Sequence, residues 1–253
     1  MTSTLARLSI LVGLLACTQV ATAAVSTASR SRSTTTAEKI DLVTTKASLE
    51  LPLLERLQDL RAQGPGAYDN LVSIMFNRAE SMQVRWKATT AAGRIGGEKS
   101  RPALERALKS DEWFMRNAAL VAMMPLDRTT GLVWARRLMN DKALVVRSAA
   151  VDALANDSAS APLLWEKLYS KENFKGRHSL FIRRRIVEAL AENEKPGREA
   201  KFVALLSDKD ESLHAPAIEA LERITQKRLG HANEPIKFRK AKWEKWLKDS
   251  RTL

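Results

Sequence analysis

An apolar residue followed by a basic one recurs along this chain at a nearly constant interval. The basic positions are Arg85, Arg116, Arg147, Arg183 and His214, with spacings of 31, 31, 36 and 31 residues. Alanine follows six positions after every one of them, at Ala91, Ala122, Ala153, Ala189 and Ala220. Small residues on one helix face let a neighbouring helix approach closely. The repeat therefore predicts five tightly packed helices of one kind.

A shorter amphipathic stretch precedes each of these helices, for example RPALERALKS and APLLWEKLYS. Pro102 and Pro162 stand where the first turn of a helix tolerates proline. One isolated helix pair cannot bury its apolar stripe, so successive pairs must stack on one another. The predicted fold class is all-α, an α-solenoid of about five stacked helix pairs with capping helices at the N- and C-terminal ends.

The run DKALVVRSAAVDALA and its counterparts resemble HEAT-like repeats, of the type also found in phycobilisome lyases, over roughly residues 67–226. In such repeats an Asp and an Arg commonly form a ladder between neighbouring pairs. The resemblance implies structural roles for the following residues: Asp111, Asp141, Arg116, Arg147 and Arg183. The chain departs from the pattern at His214 and Pro216, which puts the fifth rung in question. Lyase activity is not implied, because a shared fold does not transmit function.

The first 23 residues have the pattern of a secretory signal peptide. Arg7 precedes an apolar core from Leu8 to Ala16, and Ala21-Thr22-Ala23 fits a signal-peptidase site. This core is about half of the roughly 20 residues that a membrane-spanning helix needs. The run Leu14 to Cys17 also resembles the lipobox of bacterial lipoproteins, in which Cys17 would be lipidated. We expect a periplasmic or secreted protein, with a lipid anchor in the outer membrane as the open alternative.

Composition divides the rest of the chain into three parts. Residues 24–46 are rich in Ser and Thr and predict a flexible tether. Residues 47–229 are assigned to the HEAT-like repeat domain, and residues 230–253 to a basic C-terminal capping helix. In that last segment Trp243 and Trp246 stand at helical spacing, as expected of a helix that covers the final repeat.

The sequence contains no recognisable catalytic constellation. The stretch Gly93 to Ser100 departs from a phosphate-binding loop at Glu98, and no histidine belongs to an H-E-x-x-H motif. Cys17 is the only cysteine, so cleavage after Ala23 leaves no thiol nucleophile. We therefore expect a protein that is not an enzyme and uses no cofactor and no metal.

Positive charge is concentrated in two segments of a chain whose net charge is +13 and whose pI is about 10.1. Residues 171–185 carry a charge of +5 and residues 227–253 a charge of +6. The first segment holds the insertion that lengthens one repeat spacing from 31 to 36 residues, and insertions in repeat proteins often form the binding face. The predicted partner-binding residues are Lys171, Phe174, Lys175, Arg177, Arg184 and Arg185.

A basic surface on an exported repeat protein suggests an acidic protein partner in the cell envelope. The predicted function is a non-catalytic protein–protein interaction scaffold. Nucleic-acid binding through the basic face is the alternative, since the pI suits it, although export argues against it. Individual cations in such segments are also commonly no more than solvated surface charges.

Overall fold

The computed structural model describes residues 41–193, 195–231 and 233–250, all of which belong to one compact unit of the chain. The predicted signal peptide, Cys17 and most of the predicted tether lie outside these residues. The same holds for the last three residues of the predicted capping segment.

The described residues form thirteen α-helices and one two-stranded antiparallel sheet. The helices are α1 (Leu42–Ser48), α2 (Leu53–Ala62), α3 (Gly66–Phe76), α4 (Met82–Ile95), α5 (Arg101–Leu108), α6 (Trp113–Leu126), α7 (Arg128–Leu138), α8 (Leu144–Leu154), α9 (Ala161–Leu168), α10 (Ile182–Asn193), α11 (Glu199–Leu205), α12 (His214–Thr225) and α13 (Ile236–Ser250). The predicted all-α class is confirmed for this part of the chain.

Helices α3 to α12 alternate between a first and a second helix of each pair. Each second helix packs against the first helix of its pair, and it also contacts the second helix of the next pair: α4 contacts α6, α6 contacts α8, α8 contacts α10, and α10 contacts α12. Pro102 and Pro162 lie in the first turns of α5 and α9, as the sequence predicted. The repeat period in the sequence thus corresponds to one helix pair.

Small residues line the contacts between successive second helices. Ala91, Ala122, Ala189 and Ala220 are buried, while Ala153 is half-buried. A Cβ atom added at Gly93 of α4 would lie 2.8 Å from the Cβ of Ala122 on α6. The two helices therefore approach each other too closely for any side chain larger than that of glycine at position 93.

Buried arginines connect one helix pair to the next. Arg85 donates two hydrogen bonds to Glu112, at 2.8 and 2.5 Å. Arg116 binds both carboxylate oxygens of Asp141 at 2.6 and 2.7 Å. Each arginine also donates to backbone carbonyls of its own pair, as Arg85 does to Met75 at 3.1 Å. These contacts tie the loops of adjacent pairs together.

Among the later contacts in this series, those of Arg147 and His214 differ from the implied ladder. Arg147 meets the neutral amide of Asn173, whose Oδ1 lies 3.1 Å from the arginine Nε. Arg183 again binds a carboxylate, that of Asp208. His214 contacts the carbonyl of Asp208 within its own pair, at 3.0 Å.

Asp111 does not supply the carboxylate that the resemblance implied. Glu112, one residue later, pairs with Arg85, and Asp111 instead accepts a hydrogen bond from Arg116 through its backbone carbonyl at 2.9 Å. The physical reason is that the Glu side chain is one methylene longer and starts from the N-cap position of α6.

The two ends of the described chain carry additional helices. Helix α1 begins at Leu42, within the range assigned to the tether, because Asp41 caps it by accepting a hydrogen bond from the backbone of Val43. It contacts α2 and α3 and buries Thr45 and Ser48. At the other end, α13 packs against α11 and α12 and buries Trp243 completely.

Candidate functional site

The insertion in the repeat forms a β-hairpin between α9 and α10. Strands β1 (Phe174–Lys175) and β2 (His178–Ser179) pair with Lys175 opposite His178, leaving Gly176 and Arg177 as a two-residue turn. Gly176 has φ +62°, a left-handed conformation that glycine adopts readily. The sequence does not predict this hairpin, because strands of two residues are too short to show an alternating pattern.

Asn173 fixes the base of the hairpin to the helical body. Its side chain is buried, accepts the hydrogen bond from Arg147 and donates one of 2.7 Å to the carbonyl of Lys167 at the end of α9. Its backbone carbonyl accepts from the N–H of Leu180 at 3.0 Å, on the far side of the turn. The hairpin is therefore held at both of its ends.

A groove of about 690 Å³ lies between the hairpin and the loop that joins α11 to α12. Arg183 lines it and is 2% exposed. The guanidinium carbon of Arg183 lies 4.5 Å from the ring centre of Phe174 and 5.9 Å from that of Tyr169. Asp208 holds the guanidinium group with a hydrogen bond of 2.7 Å. Aromatic rings and a fixed cation thus form the walls of one cavity.

The carboxylates of this groove already accept hydrogen bonds from neighbouring side chains and backbone groups. Burial raises the pKa of Asp208, but hydrogen bonds from Arg183 and from the backbone of Asp210, with the charge of Arg183, outweigh it, and the net shift is downward. For Asp210 burial is likewise outweighed, by hydrogen bonds from Ser179 and Ser212 and by the charge of Arg183, so its pKa is lowered as well. Both groups stay ionised at neutral pH, so two carboxylates face the one guanidinium group of Arg183.

Four exposed cations lie in the groove or on the adjoining inserted segment, without an ion pair in the described part of the chain. They are Lys171, Lys175, Arg177 and Lys209, which we call the hairpin cations. Arg177 and Lys209 line the groove itself. Because none of the four forms an ion pair among the described residues, these cations can attract an external anion.

The structure separates the predicted partner-binding residues into two groups. Lys171, Phe174, Lys175 and Arg177 belong to the hairpin and its approach. Phe174 is half-buried, since one side of it stacks on Arg183. Tyr169 and Lys209 also line the groove but were not predicted from the sequence, because both lie outside the basic segment 171–185.

Arg184 and Arg185 form the second group and do not line the groove. Arg184 donates to Glu188 of its own helix at 2.8 Å, and Arg185 pairs with Asp152 on α8. Both side chains are exposed, but their charges are opposed by neighbouring carboxylates. They are therefore weaker candidates for attracting a partner than the hairpin cations.

The second basic segment is partly neutralised by contacts of α13. Arg239 pairs with Glu222 and Lys242 with Glu234, at 2.6 and 2.7 Å. Lys227 lies 5.6 Å from the ring centre of Trp246. Arg239 thus joins α13 to α12, and Lys242 joins α13 to the loop that precedes it.

The described residues contain no group of three or more His, Cys, Asp or Glu side chains arranged to hold a metal ion. Among the helices at residues 41–250 that the structure describes, none is both long and apolar enough to cross a membrane.

Comparisons with known proteins give no family for this chain. It matches no protein-family model and no curated protein. The functional proposal therefore rests on the residues of this chain alone.

Proposed function

We propose that this protein is a non-catalytic interaction scaffold of the exported kind, an α-solenoid of HEAT-like helix pairs that binds an acidic envelope protein. The observation that carries this proposal is the set of hairpin cations. Lys171, Lys175 and Arg177 stand on the inserted segment and Lys209 on the α11–α12 loop, all four exposed and without an ion pair among the described residues. A partner that supplies carboxylates to them gains electrostatic steering and fixed register.

The stacking of second helices supports the solenoid part of the proposal. Each of these helices contacts the next along the chain, and buried arginines bridge the loops from pair to pair. Proteins of this architecture present long surfaces on which inserted loops act as binding elements. The hairpin, as the one lengthened repeat spacing in the series, has the position expected of such an element.

The rigidity of the hairpin supports binding rather than a spacer role. Asn173 at its base makes hydrogen bonds with Arg147 and Lys167, and Arg183 donates one of 3.2 Å to the hydroxyl of Ser179 on β2. An anchored backbone loses little conformational entropy when a partner docks, which improves affinity. Tyr169, which is 56% exposed, and the half-buried Phe174 add aromatic area of the type enriched at binding surfaces.

The test is cross-linking of the tagged mature protein in its own cell envelope, followed by mass spectrometry. The variant Lys171→Glu, Lys175→Glu, Arg177→Glu removes three hairpin cations. The matched control reverses three other exposed cations without ion pairs in the described chain: Arg61→Glu, Arg94→Glu, Lys142→Glu. We expect one acidic envelope protein to be captured by the wild type and the control and lost with the hairpin variant.

Equal capture by all three proteins would overturn the assignment of the hairpin as the binding surface. A gel-shift assay with unrelated DNA addresses the alternative partner. Binding at low salt that the hairpin variant abolishes would replace the protein partner by nucleic acid, since phosphate contacts dominate such binding. Circular dichroism of each variant checks that helicity is unchanged.

A further inference from the structure

A second groove, at the opposite end of the repeat series, carries features that the proposed function does not use. It is lined by residues of α2, α4, α6 and α8: Arg56, Met82, Gln83, Trp86, Lys87, Trp113, Phe114, Asn117 and Val145. Its volume is about 470 Å³. We call it the N-terminal groove.

The repeat itself brings the apolar lining together. Met82 and Trp113 each stand three residues before the buried arginine of their repeat, and Val145 stands two residues before Arg147. Their exposed fractions are 51%, 40% and 49%, which is high for such large apolar side chains. Successive second helices thus present apolar side chains at their N-terminal ends in one continuous groove, and such surfaces commonly mark interaction sites.

Arg56 supplies the second, independent observation. It is 9% exposed, and its Nε is buried without a hydrogen-bond partner among the described residues. Its Nη2 donates to the carbonyl of Leu51 at 2.8 Å, and no carboxylate in the described chain pairs with it. A buried guanidinium without a counter-charge is costly in free energy. Arg56 thus gives the groove a positive charge without a carboxylate partner among the described residues, and an external carboxylate would supply that counter-charge.

Lys87, Trp86 and Asn117, which also line the groove, already have partners. Lys87 pairs with Glu50 at 2.9 Å, and the indole N–H of Trp86 donates to Asn117 at 3.1 Å. No acidic residue lines the groove. The groove thus combines one positive charge that lacks a counter-charge with a large apolar surface.

We propose that the N-terminal groove binds a short segment of a partner protein in which an Asp or Glu is flanked by large apolar side chains. The carboxylate would accept hydrogen bonds from Arg56, and the apolar side chains would cover Met82, Trp113 and Val145. Packed helices are spaced by about 9 Å, so the ends of three second helices span roughly 18 Å. That length accommodates about six residues of extended chain.

The test uses fluorescein-labelled, amidated peptides and fluorescence anisotropy with the purified mature protein. The probe has the core Phe-Leu-Asp-Asp-Leu-Phe between Gly-Ser flanks. A second peptide replaces both Asp by Asn, and a third replaces the four apolar residues by Ser. We expect the acidic probe to bind, the Asn peptide to bind about tenfold more weakly because charge-assisted hydrogen bonds are lost, and the Ser peptide not to bind.

Two protein variants locate the binding. Trp113→Ala should weaken binding of the acidic probe about tenfold, as removal of an interface tryptophan typically does. Trp134→Ala on α7 is the matched control, since Trp134 lies outside the groove. Arg56→Met should abolish the preference for the Asp over the Asn peptide. If that variant fails to fold, the affinities of the Asp and Asn peptides and the affinity of Trp113→Ala for the acidic probe still test the proposal.

Absence of binding at millimolar protein, equal affinity for the Asp and Asn peptides, or full affinity in Trp113→Ala would each overturn the proposal. Self-association that Trp113→Ala abolishes would assign the groove to a second copy instead and would also overturn it. The hairpin variant of the previous section should bind the acidic probe normally. Failure of one of the two proposals is therefore distinguishable from failure of the other.

Discussion

At the scale of single residues, the buried arginines differ in what they are paired with. Arg116 and Arg183 each hold a carboxylate across the boundary between two helix pairs. Arg147 is 4% exposed but meets an amide and backbone carbonyls, and burial lowers its pKa although Glu172 and Asp141 oppose this. The free-energy cost of removing an arginine should therefore depend on whether it leaves a buried carboxylate behind.

Replacing Arg116 by Met should destabilise the protein more than replacing Arg147 by Met. The first change leaves Asp141, whose side chain is 6% exposed, without its cation, and breaking a buried pair in this way costs about 3 to 5 kcal/mol. The second leaves only neutral acceptors behind. Urea unfolding of both variants measures the difference, and an equal or larger loss for Arg147→Met would contradict this account of the ladder.

At the scale of elements, the contact between α4 and α6 depends on the smallest side chains. Gly93 faces Ala122 so closely that the added Cβ distance would be 2.8 Å, well below ordinary contact. Loops, by contrast, rest on polar anchors such as Asn173 beneath the hairpin. Helix contacts in this protein should thus be sensitive to side-chain volume, and the hairpin to the loss of hydrogen bonds.

The change Ala122→Leu should destabilise the protein by about 1 to 3 kcal/mol, because the helices must separate to accommodate the added methyl groups. The control Ala204→Leu places the same side chain on an exposed position of α11 and should have little effect. Thermal denaturation followed by circular dichroism measures both. Similar melting temperatures for Ala122→Leu and the wild type would show that α4 and α6 do not pack as described.

At the scale of the whole described unit, the proposed solenoid predicts that stability depends on neighbour contacts along the series of helix pairs. Helix α13 contacts α11 and α12 at one end, while α1 contacts α3 and α2 contacts α4 at the other. In a proposed solenoid each pair is stabilised chiefly by its direct neighbours, so damage at one end should remain local. A single cooperative core would instead weaken everywhere at once.

The change Trp243→Ala removes the one aromatic side chain of α13 that is fully buried. It should lower the free energy of unfolding of the region from α11 to α13 by about 3 to 5 kcal/mol. Hydrogen exchange measured by mass spectrometry should then accelerate in α11 and α12 and stay slow in α3 and α4. Uniform acceleration across all helices would argue against a solenoid and for one shared core.

The sequence by itself determined the helical class, the period of the pairs and the positions of the buried Arg and Ala residues, because these depend on spacing along a helix. It also located the basic insertion. Only the tertiary structure decided which cations remain free: Arg184 and Arg185 meet carboxylates that folding brings near, whereas Lys171 and Arg177 do not. The N-terminal groove likewise required the fold, since Arg56 and Val145 are 89 residues apart in the sequence and meet only through packing. Periodicity is a local property of the chain, while charge pairing and grooves arise from contacts between distant segments.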